Sequence, residues 1–249
     1  MENARSHIPE TAEAILVVRG SRDQESRSHR HAEGQFVLVK HGCLNGGTDT
    51  QQWLLRAGMA VWIPPWHTHW GQGEGGVELA VLYVAPAQCG RLPDDVTPLK
   101  TNPLIDALTN RLLETTNSPQ RARMFDLLID EIAAAEPDGL VLPLPQDRRL
   151  QPIAAALLRD PAQRRTLAEW AQRLGATERT LARLFKRETG LSYTAWCHQL
   201  RMREALRGLV LGMGNVALAE ALGFSSADGF SHWFRKQMRQ SPQAARKTL

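Results

Sequence analysis

The sequence predicts an α+β multidomain protein in which a small β-barrel followed by helices precedes an all-helical half. Three observations carry this expectation. Short β-prone runs punctuated by glycine and proline fill roughly the first 90 residues, the pattern of a sandwich or barrel. From Pro103 onward, Leu, Ile, Phe and Met recur at helical spacing instead. Charge divides the same way: residues 1–145 hold 12 Lys+Arg and 18 Asp+Glu, a net of -6, whereas 146–249 hold 18 and 8, a net of +10.

The candidate strands are AILVVR (14–19), QFVLVK (35–40), AVWIP (60–64) and VELAVLYVA (77–85), separated by turns such as LNGG and GQGEGG. The runs PLIDALTNRLLETT and PQRARMFDLLIDEIAAAE predict two helices, with Asn117-Ser118-Pro119 as the break between them. These helices are the expected coupling and dimerisation elements. The segment PDGLVLPLPQD (137–147) carries three prolines and reads as a linker, with helices beyond it. The expected domains are therefore 1–98, 99–140 as helical segment and linker, and 141–249.

Composition excludes several classes. The chain of 249 residues is 43% hydrophobic, its mean hydropathy is -0.33, and no stretch approaches the roughly 20 apolar residues that span a bilayer. No membrane partner is expected. The opening MENARSHIPE lacks the apolar run of a secretory signal, and Cys43, Cys89 and Cys197 are odd in number and widely spaced. Both features lead to the expectation of free thiols and a cytoplasmic protein.

The C-terminal half contains an internal echo. LGATERTLARLFKR (174–187) and LGFSSADGFSHWFRK (222–236) share a Leu-Gly turn, a Thr or Ser cap and a helix ending Phe-basic-basic. Each follows a short helical run, LAEWAQRL or VALAEAL, so helix–turn–helix units occur twice. In the first copy Leu181, Leu184 and Phe185 form the buried stripe, leaving Arg179, Ala182, Arg183 and Lys186 outward. Arginine matches O6 and N7 of guanine, so Arg179 and Arg183 are the expected base readers, with Lys186 and Arg187 toward phosphate. The second copy buries Phe230, Phe234 and either Ala227 or Trp233, and exposes Asp228, Ser231, His232 and Arg235. There Ser231 and His232 suit bases or phosphates, and Asp228 suits the cytosine amine. Double-stranded promoter DNA is the expected partner.

Residues from about 141 to 248 resemble the DNA-binding domain of the AraC/XylS family of bacterial transcription regulators. The resemblance runs through LPLPQDRRLQPIAAALLRDPAQRRTLAEWAQRLGATERTLARLFKRETGLSYTAWCHQLRMREAL and VALAEALGFSSADGFSHWFRKQMRQSP, with Arg246 beyond. It implies seven helices whose two recognition helices enter successive major grooves. Two positions depart from the family pattern: Arg239 replaces a usual glycine and Ala245 a usual aromatic.

The stretch HRHAEGQ (29–35) alternates His29, His31, Glu33 and Gln35, which on a strand share one face. The N-terminal half resembles the cupin sensor domain of such regulators. His29, His31, Gln35 and Gly42 fall in the register of the first cupin motif, with Gln35 where the motif has Glu. Gly58, Pro64, Trp66 and His69 follow the second, with Trp66 in place of glycine. Three imidazoles suit a divalent transition metal such as Ni, Zn, Co, Fe or Cu, with Glu33 and His67 as spare ligands. A small-molecule effector fits the same cavity, and Trp62, Trp66 and Trp70 favour an apolar one.

The leading expectation is a DNA-binding transcriptional regulator, activator or repressor. It has an N-terminal cupin-like β-barrel and a C-terminal all-α domain with two helix–turn–helix motifs. A homodimer is expected, with contact to RNA polymerase if it activates. No catalytic residue is expected. The alternatives are a cupin metalloenzyme with an accessory helical domain, and a DNA-binding protein whose degenerate cupin only dimerises.

Overall fold

The structure, a computed structural model, describes residues 14–19, 24–115 and 119–247. The chain forms two compact units. One comprises the chain up to Thr48 together with Leu55–Gly139, the other Asp49–Leu54 together with Leu140–Leu249.

The first unit is built from β1 (Ala14–Arg19), β2 (Gln24–His29), β3 (Gly34–Gly47), the end of β4 (Gln51–Arg56), β5 (Met59–Ile63), β6 (His69–Val84) and β7 (Thr97–Lys100). Strand β6 pairs antiparallel with β1, β2 and β3, while β5 pairs with β3 and β7. The result is a curled antiparallel sheet in which Gln35 of β3 stands between Ile63 of β5 and Tyr83 of β6. His29 of β2 lies opposite His69 at the start of β6.

Side-chain parity divides β3. Phe36 and Leu38 join Ala60, Trp62, Ala80 and Leu82 in a core closed by α1 (Pro103–Glu114) and α2 (Pro119–Ala134). Gln35 belongs to the opposite parity, toward the histidines. The helices bury the stripes their spacing predicts: Ile105, Leu108 and Leu112 from α1, and Phe125, Leu128, Ile129 and Ile132 from α2. Asn102 caps α1 by accepting from the Ile105 amide at 2.9 Å, and Pro103 opens the first turn. Trp62 is fully buried yet donates its indole N–H to the Pro93 carbonyl at 2.8 Å. A Cβ at residue 34 would lie 2.1 Å from its ring, so the glycine there follows from close approach.

The second unit corrects one expectation. The segment 137–147 is not a bare linker, because Leu140–Pro143 forms β8 and pairs antiparallel with Gln51–Leu54. Leu142 is fully buried, and the Pro143 carbonyl accepts from the Trp196 indole at 2.6 Å. Its prolines are tolerated because only one sits in the strand, at its end.

Helices α3 (Gln151–Arg159), α4 (Leu167–Leu174), α5 (Glu178–Thr189), α6 (Tyr193–Val210), α7 (Asn215–Ala221), α8 (Ala227–Met238) and α9 (Pro242–Ala245) follow. Helix α6 serves two cores. Trp196 and Leu200 pack with Trp170, Leu181, Leu184 and Phe185, whereas Met202, Ala205 and Leu209 pack with Leu218, Phe230 and Phe234. No helix among the described residues is long and apolar enough to cross a membrane.

Two non-glycine residues among those described have positive φ: Trp66 at 62° and Arg239 at 54°. Both stand where the family motifs carry glycine. Arg239 is the left-handed cap of α8, a conformation that costs a residue with a Cβ about 1 kcal/mol or more. The substitution Arg239→Gly should therefore raise the stability of the helical unit by about 1 kcal/mol in urea denaturation; an unchanged or lower midpoint would contradict the strain.

Candidate functional site

HRHAEGQ is not one strand, contrary to expectation: β2 ends at His29 and β3 begins at Gly34, so His31 and Glu33 lie in the turn between them. That turn and the pairing of β2 with β6 bring His29, His31 and His69 together. One ring nitrogen from each lies within 4.8 Å of those of the other two, and among the described residues this is the group so disposed to hold a metal ion. The ring centroids are 4.4 Å apart for His29 and His69, 5.1 Å for His31 and His69, and 5.7 Å for His29 and His31. His69 is 4% exposed, while His29 and His31 are half-buried.

Each ring is oriented by the backbone. Nδ1 of His29 lies 2.7 Å from the Arg27 carbonyl, Nδ1 of His31 2.8 Å from that of Glu33, and Nδ1 of His69 2.8 Å from that of His67. A carbonyl only accepts, so each Nδ1 carries the proton. In the neutral ring this leaves the lone pair on Nε2, which is how proteins fix the tautomer of a metal-binding histidine.

The remaining candidates sit differently. Glu33 places its carboxylate 3.7 Å from Nδ1 of His31, at the back of that ring. His67 turns Nδ1 to the Pro65 carbonyl at 3.1 Å, and neither His67 nor Glu33 joins the three-histidine group. Gln35 is 8% exposed and donates its amide to the Tyr83 hydroxyl at 3.1 Å. Tyr83 in turn sets its ring edge-on to His31, centroids 5.5 Å apart. Among the tryptophans, Trp62 belongs to the core and Trp66 is 62% exposed, so these two do not share a pocket wall. Trp66 donates its amide to the His31 carbonyl at 2.8 Å, tying the loop before His69 to the first histidine pair.

The helical unit presents its surface through two helix–turn–helix pairs, α4–α5 and α7–α8. Gly175 turns the chain with φ of 62°, and Thr177 accepts from the Thr180 amide at 3.2 Å to start α5. Arg179, Arg183, Lys186 and Arg187 are all exposed, as are Asp228, His232 and Arg235 on α8. Lys186 donates to the Gly190 carbonyl at 2.6 Å, at the end of its own helix. Arg187 donates to Glu188 at 2.8 Å and lies 3.7 Å from Asp147, whose carboxyl Arg149 holds far below the usual carboxylate range. Ser231 is half-buried and accepts from the Asn215 amide at 3.3 Å.

The two copies superimpose in sequence frame. Fully buried Phe185 and Phe234 correspond, and at the same offset Arg179 answers to Asp228, Arg183 to His232 and Lys186 to Arg235. Between the modules a cavity of about 340 Å³ is lined by Arg164, His198, Arg201, Leu222, Phe224 and Trp233. Burial, then the nearby Arg201 and Lys236 charges, hold His198 below its ordinary pKa.

Comparison with known proteins assigns both domains. Residues 15–151 match the AraC-like ligand binding domain, and residues 170–248 match a helix-turn-helix domain. The HTH-type transcriptional regulator NimR of Escherichia coli is 31% identical over 237 residues, covering 94% of this chain and 86% of that protein. The chain belongs to the AraC/XylS family of transcriptional regulators.

A second relative, the uncharacterized regulator YobQ of Bacillus subtilis, is 25% identical over 89% of each chain. Among solved structures, ToxT of Vibrio cholerae is 11% identical and covers 96% of this chain and 99% of its own, with a TM-score of 0.39, too loose a likeness to carry an argument about the site. The regulator thus joins a DNA-binding helix-turn-helix domain to a ligand-binding domain. Sequence reasoning missed Tyr83 and the three backbone carbonyls. Tyr83 lies in a plain strand run, and only the β3–β6 register puts it beside Gln35.

Proposed function

We propose that this regulator senses a divalent transition metal bound by His29, His31 and His69, and that occupancy of the site biases how its helical domain engages a promoter. The observation that carries the reading is the shared orientation of the three rings, each with Nδ1 on a backbone carbonyl. Three imidazole donors suit Zn, Ni, Co, Fe or Cu rather than Mg or Ca. Gln35 is not counted as a ligand, because its amide serves Tyr83, and Glu33 and His67 stand outside the group. Because the relatives are transcriptional regulators, the metal is read as a signal and not as the centre of a metalloenzyme.

In this reading 1–98 is the sensor, 99–140 the coupling and dimerisation segment, and 141–249 the DNA-binding domain of a cytoplasmic homodimer. Leu104 and Leu127, outward-facing and more than two-fifths exposed, support α1 and α2 as the dimer surface. Arg179 and Arg183 read base edges, and Lys186 and Arg187 hold phosphates. On α8, Asp228 accepts from cytosine, while Ser231, His232 and Arg235 contact bases or phosphates. The exchange of Arg179 and Arg183 for Asp228 and His232 at the matching offset makes the first copy the stronger guanine reader. A regulator that activates would also contact RNA polymerase.

Protein purified untagged and without chelator, then equilibrated with each metal, should carry near-stoichiometric metal by elemental mass spectrometry, lost in His29→Ala/His31→Ala. No metal under any loading would overturn the metal reading and leave an organic effector, or a domain that only dimerises. Arg183→Ala should weaken binding to the specific site about tenfold or more while changing binding to random DNA little. Equal losses on both would reduce Arg183 to a phosphate contact.

A further inference from the structure

We propose that the signal read with the metal is a small anion bearing an acceptor oxygen, of the carboxylate class, and that Tyr83 receives it; the inference rests on the metal reading above. The argument starts from charge. Three neutral imidazoles leave a divalent cation uncompensated in a site where His69 is 4% and Gln35 8% exposed. An uncompensated charge in such surroundings is costly, and is answered by a carboxylate ligand or by an anion at an open position.

Among the described residues no carboxylate joins the three histidines. Glu33 faces Nδ1 of His31, the nitrogen turned away from the ligand side, and Gln35 replaces the motif's acidic residue with a neutral amide. The substitution also sets a hydrogen-bond direction. Gln35 donates to the Tyr83 hydroxyl oxygen at 3.1 Å, so the phenol directs its own hydrogen to a different acceptor. The Tyr83 ring stands edge-on to His31, centroids 5.5 Å apart, so the phenol belongs to the wall of the three-histidine site on the His31 side. A glutamate at 35 would itself accept from the phenol and provide the missing negative charge. Glutamine does neither, and leaves both roles to an incoming anion.

Tyr83 is accordingly a specificity-determining residue and Gln35 its positioning residue. The full-length protein loaded with cobalt(II) gives a visible ligand-field spectrum that reports the metal's ligands, and acetate serves as the probe anion. Acetate should change the wild-type spectrum saturably. In Tyr83→Phe its dissociation constant should rise about tenfold, the loss expected for one hydrogen bond to a charged acceptor, with cobalt affinity retained. In Gln35→Glu cobalt should bind at least as tightly and acetate should no longer alter the spectrum. A wild-type spectrum indifferent to acetate, or equal acetate affinity in Tyr83→Phe, overturns the inference and leaves the metal reading standing. Failure of the wild type to bind cobalt overturns the metal reading and this inference with it. The cobalt spectrum of each variant also shows that its site has folded.

Discussion

The backbone carbonyls of Arg27, Glu33 and His67 decide which nitrogen each of three histidines presents. Each carbonyl lies two residues from its ring, so the constraint is local. What is not local is the meeting of the rings. His69 meets His29 because β2 pairs with β6 at those two residues, and the turn from β2 into β3 brings His31 alongside. The amide of Trp66, donating to the His31 carbonyl, closes the same loop from the other side. Local tautomer control and long-range register thus act on the same three side chains.

The helical unit depends on a different economy, in which one long helix supports two recognition modules. Trp196 and Leu200 serve the first core, and Ala205 and Leu209 the second. Because Phe185 and Phe234 anchor both recognition helices in the same frame, the outward residues are set by helix period alone. The chain then varies chemistry on a constant frame: two arginines on α5 against an acid and a histidine on α8. The two outward faces are therefore not chemically equivalent, and that of α5 is the more basic.

Much of this was legible in the sequence because the governing signals are periodic or short-range. Helical spacing placed Leu181, Leu184 and Phe185 inside and Arg179 and Arg183 outside, as the structure has them. Motif register grouped His29, His31 and His69, and the three do meet, but the single strand expected over HRHAEGQ is broken by a turn after His29. What escaped depends on pairing between distant segments. Tyr83 meets Gln35 only through strand register, and Leu140–Pro143 is a strand only because Gln51–Leu54 pairs with it. The two departures from motif glycines, Trp66 and Arg239, were visible as substitutions. Their cost was not, because the backbone keeps the glycine-like φ and the new side chain bears the strain.

The most direct test of the account is the tautomeric state of the three rings in metal-free protein. Long-range proton–nitrogen correlation NMR on histidine-labelled protein, assigned with single His→Asn variants, distinguishes a proton on Nδ1 from one on Nε2. The account predicts the Nδ1–H form for His29, His31 and His69 at neutral pH, with Nε2 shifting when metal is added. An Nε2–H form at any two of the three would contradict it, since those rings would present a donor where the metal needs a lone pair.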